Sequence, residues 1–442
     1  MVHKKRQNLQ YLEKIEQEHV LHDFTTMKDY LVHFMTKGSG VFIEDINGNR
    51  YLDFKSCAFN VNLGYQHPRL ISALIRQANE LCYTDFSNLP EARLTDMILE
   101  ILRSKKYRLF YSTGGALAVE TALKIARDIT KRPKIISFFK NYHGVTYGAM
   151  SIAGWGDIYN PFGPMLSHNI KVPPAYCYRC YFGKQYPKCH LQCVGYIENL
   201  IKEEDPNTIA AIIAEPIPWG EMIVPPREYW KKIKEICDKY DILLMFDEIV
   251  TGFGRTGEWF AKDLFEVNPD IIISGKGLTA GTLPLYVTIV KKEIADYYIE
   301  HRFTHGYTFQ GYPLACAVAI ETINTIKEQN ILKNVKERGE YLYNCLRELS
   351  EDYEFIGDFR GVGLMYGLEL VHNRDKREPI NRQFTQDVIK NCYKNGLIIG
   401  SSIHNFITVM PPFIVSNQHI DSAMEILNEA LKNTAKKWGY IP

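Results

Sequence analysis

The stretch Ile271-Ile-Ile-Ser-Gly-Lys-Gly places Lys276 directly after a short apolar run. A second apolar run, Ile242-Leu-Leu-Met-Phe-Asp-Glu, ends with Asp247 and Glu248. Runs of this length, bounded by glycine or charged residues, predict buried strands of a mostly parallel sheet. Lys276 and Asp247 would then stand at strand ends, where ligands of α/β proteins bind. Taken alone, each residue is more typical of a solvated loop lysine or a helix-capping aspartate, so their surroundings decide the interpretation.

Around this stretch, short apolar runs alternate with longer amphipathic segments from about residue 105 to residue 325. Such alternation predicts an α/β fold with helices on both faces of the sheet. An Asn47-Gly48 turn between two alternating runs predicts a hairpin before this region. The pattern predicts a helix at residues 116–130 and strands at residues 134–138, 209–214, 242–246, 271–274 and 286–290.

The pattern of apolar runs and amphipathic segments also predicts that the chain has three parts. Residues 1–60 are expected to form an N-terminal helix and hairpin segment that packs with the small domain. Residues 61–326 are expected to form a large domain, with a cysteine-rich insertion at residues 173–196. A long charged helix and a following αβ pattern predict a separate small C-terminal domain at residues 327–442.

Composition excludes several classes of partner. Of the 442 residues, 46% are hydrophobic, but no apolar run is long enough to cross a bilayer. Lysine plus arginine (52) nearly equals aspartate plus glutamate (51), so no strong field attracts nucleic acid or an anionic membrane. The basic N-terminus leads into a charged segment and not into the core of a secretory signal, which predicts a cytoplasmic protein. Its ten cysteines are then expected as reduced thiols or metal ligands.

Three segments together resemble the signature of class III aminotransferases, which use pyridoxal phosphate (PLP). They are Glu215-Pro-Ile, Phe246-Asp-Glu-Ile-Val-Thr-Gly-Phe-Gly-Arg-Thr-Gly and Pro269-Asp-Ile-Ile-Ile-Ser-Gly-Lys-Gly-Leu. The resemblance covers about residues 30 to 435. It implies a PLP-dependent transferase of fold type I, with a mostly parallel seven-stranded sheet flanked by helices and a small α/β C-terminal domain. It also implies transamination in two half-reactions with an α-keto acid as acceptor.

The resemblance assigns roles to individual residues. Lys276 would form the Schiff base with PLP and then act as general acid and base, and Asp247 would pair with the pyridinium nitrogen. Glu215 would also belong to the cofactor site. Tyr142 would stack on one face of the ring with His143 as a buttress, and Ile249 would press on the other face.

A glycine-rich turn at a helix N-terminus suits a phosphate, and Ser112-Thr-Gly-Gly-Ala has this form. In the resemblance, Gly115 and Ala116 supply the phosphate-binding amides, while Leu117 replaces the usual glutamate. Thr308, in His305-Gly-Tyr-Thr, would reach the phosphate of a neighbouring subunit, which implies a homodimer with shared active sites.

Differences between this sequence and the family pattern give hypotheses about the substrate. The segment that begins at Asp53 resembles omega-amino acid:pyruvate and taurine-type aminotransferases, with Phe59 at the pocket wall. Val145 stands where acetylornithine and 4-aminobutyrate enzymes often have an arginine, so such donors are disfavoured. The small-domain arginine of many relatives is also missing, because the last arginine is Arg382. The candidates left to bind an acid group are His404, Lys55 and Arg255, while the donor and the choice between pyruvate and 2-oxoglutarate stay open.

Other readings compete with transamination. A PLP-dependent racemase or epimerase could use the same scaffold. Cys177, Cys180, Cys189 and Cys193 are spaced as C-x2-C-x8-C-x3-C, which suits either a structural zinc ion or inert or redox-active thiols. A non-catalytic, zinc-stapled binding protein is a further alternative. Gly252-Phe-Gly-Arg-Thr-Gly imitates a dinucleotide fingerprint, but the acidic residues before it would repel a pyrophosphate.

Overall fold

Three sheets organise the described part of the chain, and the largest contains seven strands. The computed structural model describes residues 2–28, 30, 32–401 and 405–441, with side chains described from residue 9 onward. The N-terminal part contains α1 (Val2–His19), β1 (Met35–Ser39), β2 (Phe42–Asp45), β3 (Arg50–Asp53) and the short, irregular α2 (Ser56–Phe59).

The central part alternates helices and strands, as the apolar periodicity predicts. Its elements are α3 (Pro68–Glu80), α4 (Leu89–Ile101), β4 (Tyr107–Ser112), α5 (Gly115–Thr130), β5 (Lys134–Phe138), α6 (Tyr147–Ile152), α7 (Gly156–Tyr159), β6 (Asn169–Val172), α8 (Gln192–Glu203), β7 (Ile209–Ala214), α9 (Tyr229–Lys239), β8 (Leu243–Glu248), α10 (Ala261–Leu264), β9 (Ile271–Ser274), β10 (Tyr286–Lys291), α11 (Lys292–Ala295), α12 (Tyr297–Glu300) and α13 (Pro313–Glu328). Short 3-10 helices occur at Asn160–Phe162, Pro206–Thr208 and Lys276–Thr279.

The seven strands run in the order β4-β10-β9-β8-β7-β5-β6. β10 is antiparallel to both of its neighbours, and the other paired strands are parallel. Every residue of β7 is buried, which is what a strand covered by helices on both faces requires. The carboxyl ends of β8 and β9 therefore bring Asp247 and Lys276 to the same edge of the sheet, and the predicted α/β architecture is confirmed.

The C-terminal part builds a second layer of structure. Its elements are α14 (Ile331–Asp352), β11 (Ile356–Val362), β12 (Met365–Asn373), β13 (Glu378–Pro379), α15 (Arg382–Lys394), β14 (Leu397–Ile398), β15 (Gly400–Ser401), β16 (Phe406–Val409) and α16 (Asn417–Trp438). β11, β12, β16 and β15 form an antiparallel sheet, and one apolar cluster joins it to α14 and α16.

The N-terminal hairpin and the C-terminal part share a sheet. β2 and β3 pair around the Asn-Gly turn, and the carboxylate of Asp45 accepts hydrogen bonds from the backbone N–H groups of Asn47 and Asn49. β14 then pairs in parallel with β3, with Leu397 opposite Leu52. The boundaries at residues 60 and 326 stay predictions. In the part of the chain that the structure describes, no helix is both long and apolar enough to span a membrane.

Candidate active site

Lys276 lies at the centre of the candidate site, two residues beyond the end of β9. Its neighbour Gly275 is required by close packing, because a Cβ at that position would lie 2.0 Å from the ring of Tyr286. Burial lowers the pKa of Lys276 to about 8, against the carboxylates of Glu215 and Asp247, which raise it. About a tenth of this amine is therefore neutral at pH 7, far more than for an exposed lysine, and a nucleophile or a base requires the neutral form.

Asp247, near the end of β8, is held by two donors. Its Oδ2 atom lies 2.7 Å from Nδ1 of His143, and its Oδ1 atom accepts the backbone N–H of Ile249 at 3.1 Å. Both Asp247 and His143 are buried. Nε2 of His143 has no hydrogen-bond partner among the residues that the structure describes. His143 therefore orients the carboxylate and keeps one ring nitrogen available inside the site.

Glu215 ties the loops of the site together. Its carboxylate accepts the backbone N–H of Tyr142 at 2.6 Å and that of Trp219 at 3.3 Å, while its own N–H donates to Oδ1 of Asn141 at 2.7 Å. Burial raises the pKa of Glu215 well above its usual value, and the nearby Asp247 raises it further. The loop that carries Tyr142 is thus fixed to the end of β7.

The N-terminus of α5 faces the loop at residues 141–144. Gly114, at the N-cap, offers no side chain to the first N–H groups of the helix, which are unsatisfied within any helix. A Cβ at Gly144 would lie 2.5 Å from Cβ of Ala116, so the approach of the two segments depends on glycine there. The backbone of Gly115 and Ala116 is partly exposed, which leaves N–H groups available for an anion.

A wall of aromatic rings runs outward from Lys276. Its Nζ atom lies 5.1 Å from the ring centroid of Phe59, and that ring lies 4.9 Å from the ring of Trp219. Trp219 lies 5.3 Å from Trp155 and 6.2 Å from Tyr142. A substrate that reaches Lys276 passes a surface made of rings, which suits methylene groups better than exposed charges.

The comparisons with known proteins agree with this geometry. Residues 25–431 match the family described as Aminotransferase class-III. The chain belongs to the class III aminotransferases. Because solved transaminases share its fold over nearly the whole length, this aminotransferase is a PLP-dependent transaminase, and the fold type I expectation is confirmed.

Curated relatives of this aminotransferase differ in activity. An adenosylmethionine-8-amino-7-oxononanoate aminotransferase from Staphylococcus aureus (strain NCTC 8325 / PS 47) is 32% identical over 447 residues, 96% of this chain and 98% of that protein. A leucine/methionine racemase from Thermococcus litoralis is 34% identical, with 89% of each chain covered. A taurine–pyruvate aminotransferase from Bilophila wadsworthia is 30% identical, with 96% of this chain and 98% of that protein covered.

Solved structures superpose closely. A Bacillus anthracis aminotransferase matches with a TM-score of 0.93 at 33% identity, covering 97% of this chain and 99% of that one. The taurine:2-oxoglutarate aminotransferase from Bifidobacterium kashiwanohense, solved with PLP and glutamate, matches with a TM-score of 0.91 at 28% identity and coverage of 97% and 98%.

The residues of this aminotransferase fit PLP. Lys276 offers an amine for the cofactor's aldehyde, Asp247 offers a carboxylate for the ring nitrogen, and the N-terminus of α5 offers N–H groups for the phosphate. A Cβ at Gly115 would lie 3.1 Å from Cδ1 of Ile249 and 3.4 Å from the ring of Tyr286, so the missing side chain leaves a cradle between them.

Arg255 does not fit the role of a substrate-binding cation, and this hypothesis is corrected. Its side chain is 0% exposed, and its guanidinium donates to the carbonyl oxygens of Leu364 at 2.9 Å and Pro411 at 2.6 Å and to Oδ1 of Asn62 at 2.6 Å. Arg255 therefore joins segments of the chain and does not face a ligand. Val145 is 56% exposed, so its side chain forms no part of a closed pocket within one chain.

Two further candidates lie apart from the centre. His404 lies outside the described residues. Thr308 lies on an exposed segment, where its carbonyl oxygen accepts the hydroxyl of Tyr83 at 2.8 Å. The neighbouring hydroxyl of Tyr307 donates to the carbonyl oxygen of Leu117 at 2.8 Å, which fastens this segment to α5.

The zinc hypothesis for the cysteine-rich insertion is not supported. Cys177, Cys180, Cys189 and Cys193 line one small cavity as free thiols. Within residues 2–28, 30, 32–401 and 405–441, no three histidine, cysteine or acidic side chains are grouped as metal ligands. Burial raises the pKa of Cys177 and that of Cys193, the latter to about 11, so both thiols are protonated at neutral pH in the metal-free protein.

Three residues near the site were not predicted from the sequence. Trp155 and Tyr286 contribute rings, and no motif distinguishes them from ordinary core aromatic residues. Glu120 stands one turn beyond Leu117, and its Oε1 atom accepts the hydroxyl of Thr146 at 2.6 Å and the N–H of Ala149 at 3.2 Å. Helical periodicity could have indicated Glu120, because positions three apart share a helix face.

Proposed function

We propose that this aminotransferase moves the amino group of an omega-amino acid or omega-amino sulfonate, such as β-alanine or taurine, to an α-keto acid. The reaction would proceed by a ping-pong mechanism, with pyruvate or 2-oxoglutarate as acceptor. The relatives named for taurine aminotransfer support this substrate class, at 30% and 28% identity. The enclosed Lys276 beside Asp247 and Glu215 is the observation that carries the proposal.

Each side chain has a task in this proposal. Bound PLP supplies an electron sink that weakens bonds at the carbon bearing the substrate's amine. Lys276 anchors the cofactor and then holds and moves the proton at that carbon, which its lowered pKa favours. Asp247, oriented by His143, keeps a negative charge against the ring nitrogen. Tyr142 and Ile249 cover the two faces of the ring.

We also propose a homodimer in which Thr308 serves the partner's phosphate site. Several large apolar side chains near Thr308 are exposed in one chain, among them Phe86 at 79% and Leu89 at 69%. Tyr83 and Phe309 pack edge to face nearby, with ring centroids 5.2 Å apart. An apolar surface of this kind around a cofactor-binding loop supports burial against a second copy.

Ten free cysteines without a disulfide support the expected cytoplasmic location.

A panel of amino donors tests the proposal. The PLP-loaded protein is mixed with taurine, β-alanine, 4-aminobutyrate or an amino alcohol, with pyruvate or 2-oxoglutarate as acceptor. We expect transfer from taurine or β-alanine, measured as the amino acid formed from the acceptor. Lys276→Ala should lose at least about a thousandfold of this activity, because no other amine takes its place. Lys333→Ala, which removes an exposed lysine in the first turn of α14, serves as the matched control. Full activity in Lys276→Ala would overturn the proposal.

A racemase is the second candidate, because a leucine/methionine racemase is 34% identical. The two functions differ in their need for an acceptor. Given one enantiomer of an amino acid and no keto acid, a racemase produces the other enantiomer continuously. An aminotransferase stops after one half-turnover per site. Chiral chromatography of the mixture therefore separates them.

A further inference from the structure

The proposed substrates carry an acid group, and the site needs a cation to receive it. Removing a carboxylate or sulfonate from water without a partner is costly. Most cations around the pocket are already engaged. Arg255 is bonded to oxygens of the chain, Lys140 lies 2.8 Å from Glu221, and Arg360 lies 2.6 Å from Asp358 and 2.8 Å from Glu369. The family's small-domain arginine is absent from this sequence.

Lys55 is the exception. Its side chain is partly exposed, and in the described part of the chain its ammonium has neither a carboxylate nor another hydrogen-bond partner. Asp53 attracts Lys55 through its charge, but among the described residues it accepts no hydrogen bond from the Lys55 ammonium. Its carboxylate accepts the backbone N–H groups of Lys55 and Cys57, each at 2.8 Å, and the hydroxyl of Tyr65 at 2.7 Å. The charge of Lys55 therefore remains available to a ligand.

The position of Lys55 suits the pocket. It lies four residues before Phe59, whose ring is 5.1 Å from Nζ of Lys276. Burial lowers the pKa of Lys276, and the charge of Lys55 lies close enough to lower it slightly further. On the other side, a Cβ at Gly400 would lie 3.5 Å from Cγ of Lys55. The Lys55 side chain thus runs along β15, between the large-domain pocket and the C-terminal part.

The turn that presents Lys55 is held against its own backbone preference. Ser56, Cys57 and Phe59 have φ values of 49°, 57° and 64°, a left-handed conformation that is unfavourable for residues other than glycine. Tertiary bonds hold the turn, including the one from the hydroxyl of Ser56 to the carbonyl oxygen of Met410 at 2.6 Å. Strain of this kind persists where the surroundings enforce it and gathers at functional sites.

We propose that the Lys55 ammonium binds the acid group of the amino donor and of the keto-acid acceptor. This inference rests on the proposed function and names the residue that gives it its substrate class. A lysine presents a compact point charge, whereas an arginine presents a planar fork that fits carboxylates. Lys55 therefore binds a planar carboxylate and a tetrahedral sulfonate with similar affinity.

The test uses the PLP-loaded enzyme and single-turnover reactions without acceptor, followed by loss of the visible absorbance of the bound cofactor. Three donors of comparable length are compared, namely β-alanine, taurine and propylamine, the last of which has no acid group. In Lys55→Met, the half-saturating concentrations of β-alanine and taurine should rise about tenfold to a hundredfold, as expected for a lost charged hydrogen bond. That of propylamine should change by less than about twofold.

Two further variants sharpen the result. Lys55→Arg should retain binding of β-alanine and lose part of the binding of taurine, because the guanidinium fork matches a carboxylate. Lys333→Met, which removes an exposed lysine of α14, is the matched control.

The outcomes separate the two levels of the proposal. A wild-type enzyme that reacts with none of the three donors overturns the proposed function, and this inference with it. A wild type that reacts with β-alanine and taurine, while Lys55→Met keeps both half-saturating concentrations, overturns this inference alone. An equal rise for propylamine in Lys55→Met also overturns it, because the lysine would then act only on the shape of the turn.

Discussion

Nδ1 of His143 and Oδ2 of Asp247 lie 2.7 Å apart in a region closed to solvent. The imidazole donates this hydrogen bond, since an ionised carboxylate can only accept. The Asp247 carboxylate is thereby oriented by His143, which belongs to a different segment of the chain. This hydrogen bond links the loop at residues 141–144 to β8.

Removal of this link should weaken the hold on the cofactor. In His143→Ala, Asp247 loses a charge-assisted hydrogen bond worth about 1.5–3 kcal/mol. We expect PLP affinity, measured by titration of the apoprotein, to fall about tenfold to a hundredfold. The visible absorbance band of the bound cofactor should also shift, because the carboxylate changes its orientation. An unchanged affinity together with an unchanged band would contradict this role, and His168→Ala, on an exposed loop, is the control.

The pKa of Lys276 sets the pH dependence of cofactor uptake. The amine is protonated below a pKa of about 8 and neutral above it, and only the neutral form attacks an aldehyde. The rate at which the apoprotein takes up PLP should therefore rise about tenfold per pH unit below pH 8 and level off above it. Stopped-flow absorbance measures this rate. A profile still rising steeply toward pH 10 would show that the environment does not lower this pKa.

The lowered pKa of Lys276 also affects the folding stability of the apoprotein. Folding lowers the pKa of Lys276 from 10.5 to about 8, so the folded state binds the proton less well than the unfolded state. Between these values stability rises with pH, and below pH 8 the charged amine destabilises the fold by about 3 kcal/mol. Lys276→Met should thus be more stable than wild type at pH 7, with the gain vanishing near pH 10.5. Denaturant unfolding at both pH values gives the comparison, and a gain independent of pH would contradict it.

We expect the ring of Trp219 to limit the size of the amino donor. Its ring packs between Phe59 and Trp155, while its backbone N–H is the group that bonds to Glu215. Trp219→Ala therefore removes the wall and leaves the hydrogen bond in place. We expect kcat/KM for bulky primary amines to rise about tenfold and that for β-alanine to fall, because the smaller donor loses contacts. Trp438→Ala, on the last helix, controls for the general effect of losing a tryptophan, and equal changes for both donors would refute the assignment.

Thr308 tests the shared site. Thr308→Val replaces only the hydroxyl by a methyl group, and the carbonyl that accepts from Tyr83 is unchanged. If the hydroxyl serves a neighbour's phosphate, PLP affinity should fall about fivefold to thirtyfold without loss of the dimer, as for one hydrogen bond to a charged group. Light scattering and cofactor titration on the same sample measure both. A monomeric wild-type protein would rule out the shared arrangement.

The sequence is most informative where strands are buried on both faces. The runs at residues 134–138, 209–214 and 271–274 match the observed strands because isoleucine-rich segments of this length have few alternatives. β4 and β6 were not predicted. They form the two edges of the sheet, where half-exposed residues such as Arg108 and Lys171 weaken the apolar signal.

The sequence likewise indicates some residues of the candidate site and misleads about others. Glu215 and Lys276 follow strands and Asp247 lies near the end of one, and their side chains come together because the strand order brings those ends to one edge. Arg255 shows why a charged residue near a motif is a weak guide. Its partners are carbonyl groups of Leu364 and Pro411, and only tertiary packing reveals that they enclose it.

The parallel pairing of Leu52 with Leu397 has a consequence for the newly made protein. The partner of β3 is synthesised roughly 345 residues after it. At typical ribosomal speeds this leaves the strand's outer edge uncovered for about 17 to 70 s. During that interval the nascent chain exposes a template for unwanted pairing with other polypeptides. The turn that carries Lys55 and Phe59 also cannot be fixed before translation is nearly complete, so PLP capture belongs to the finished chain.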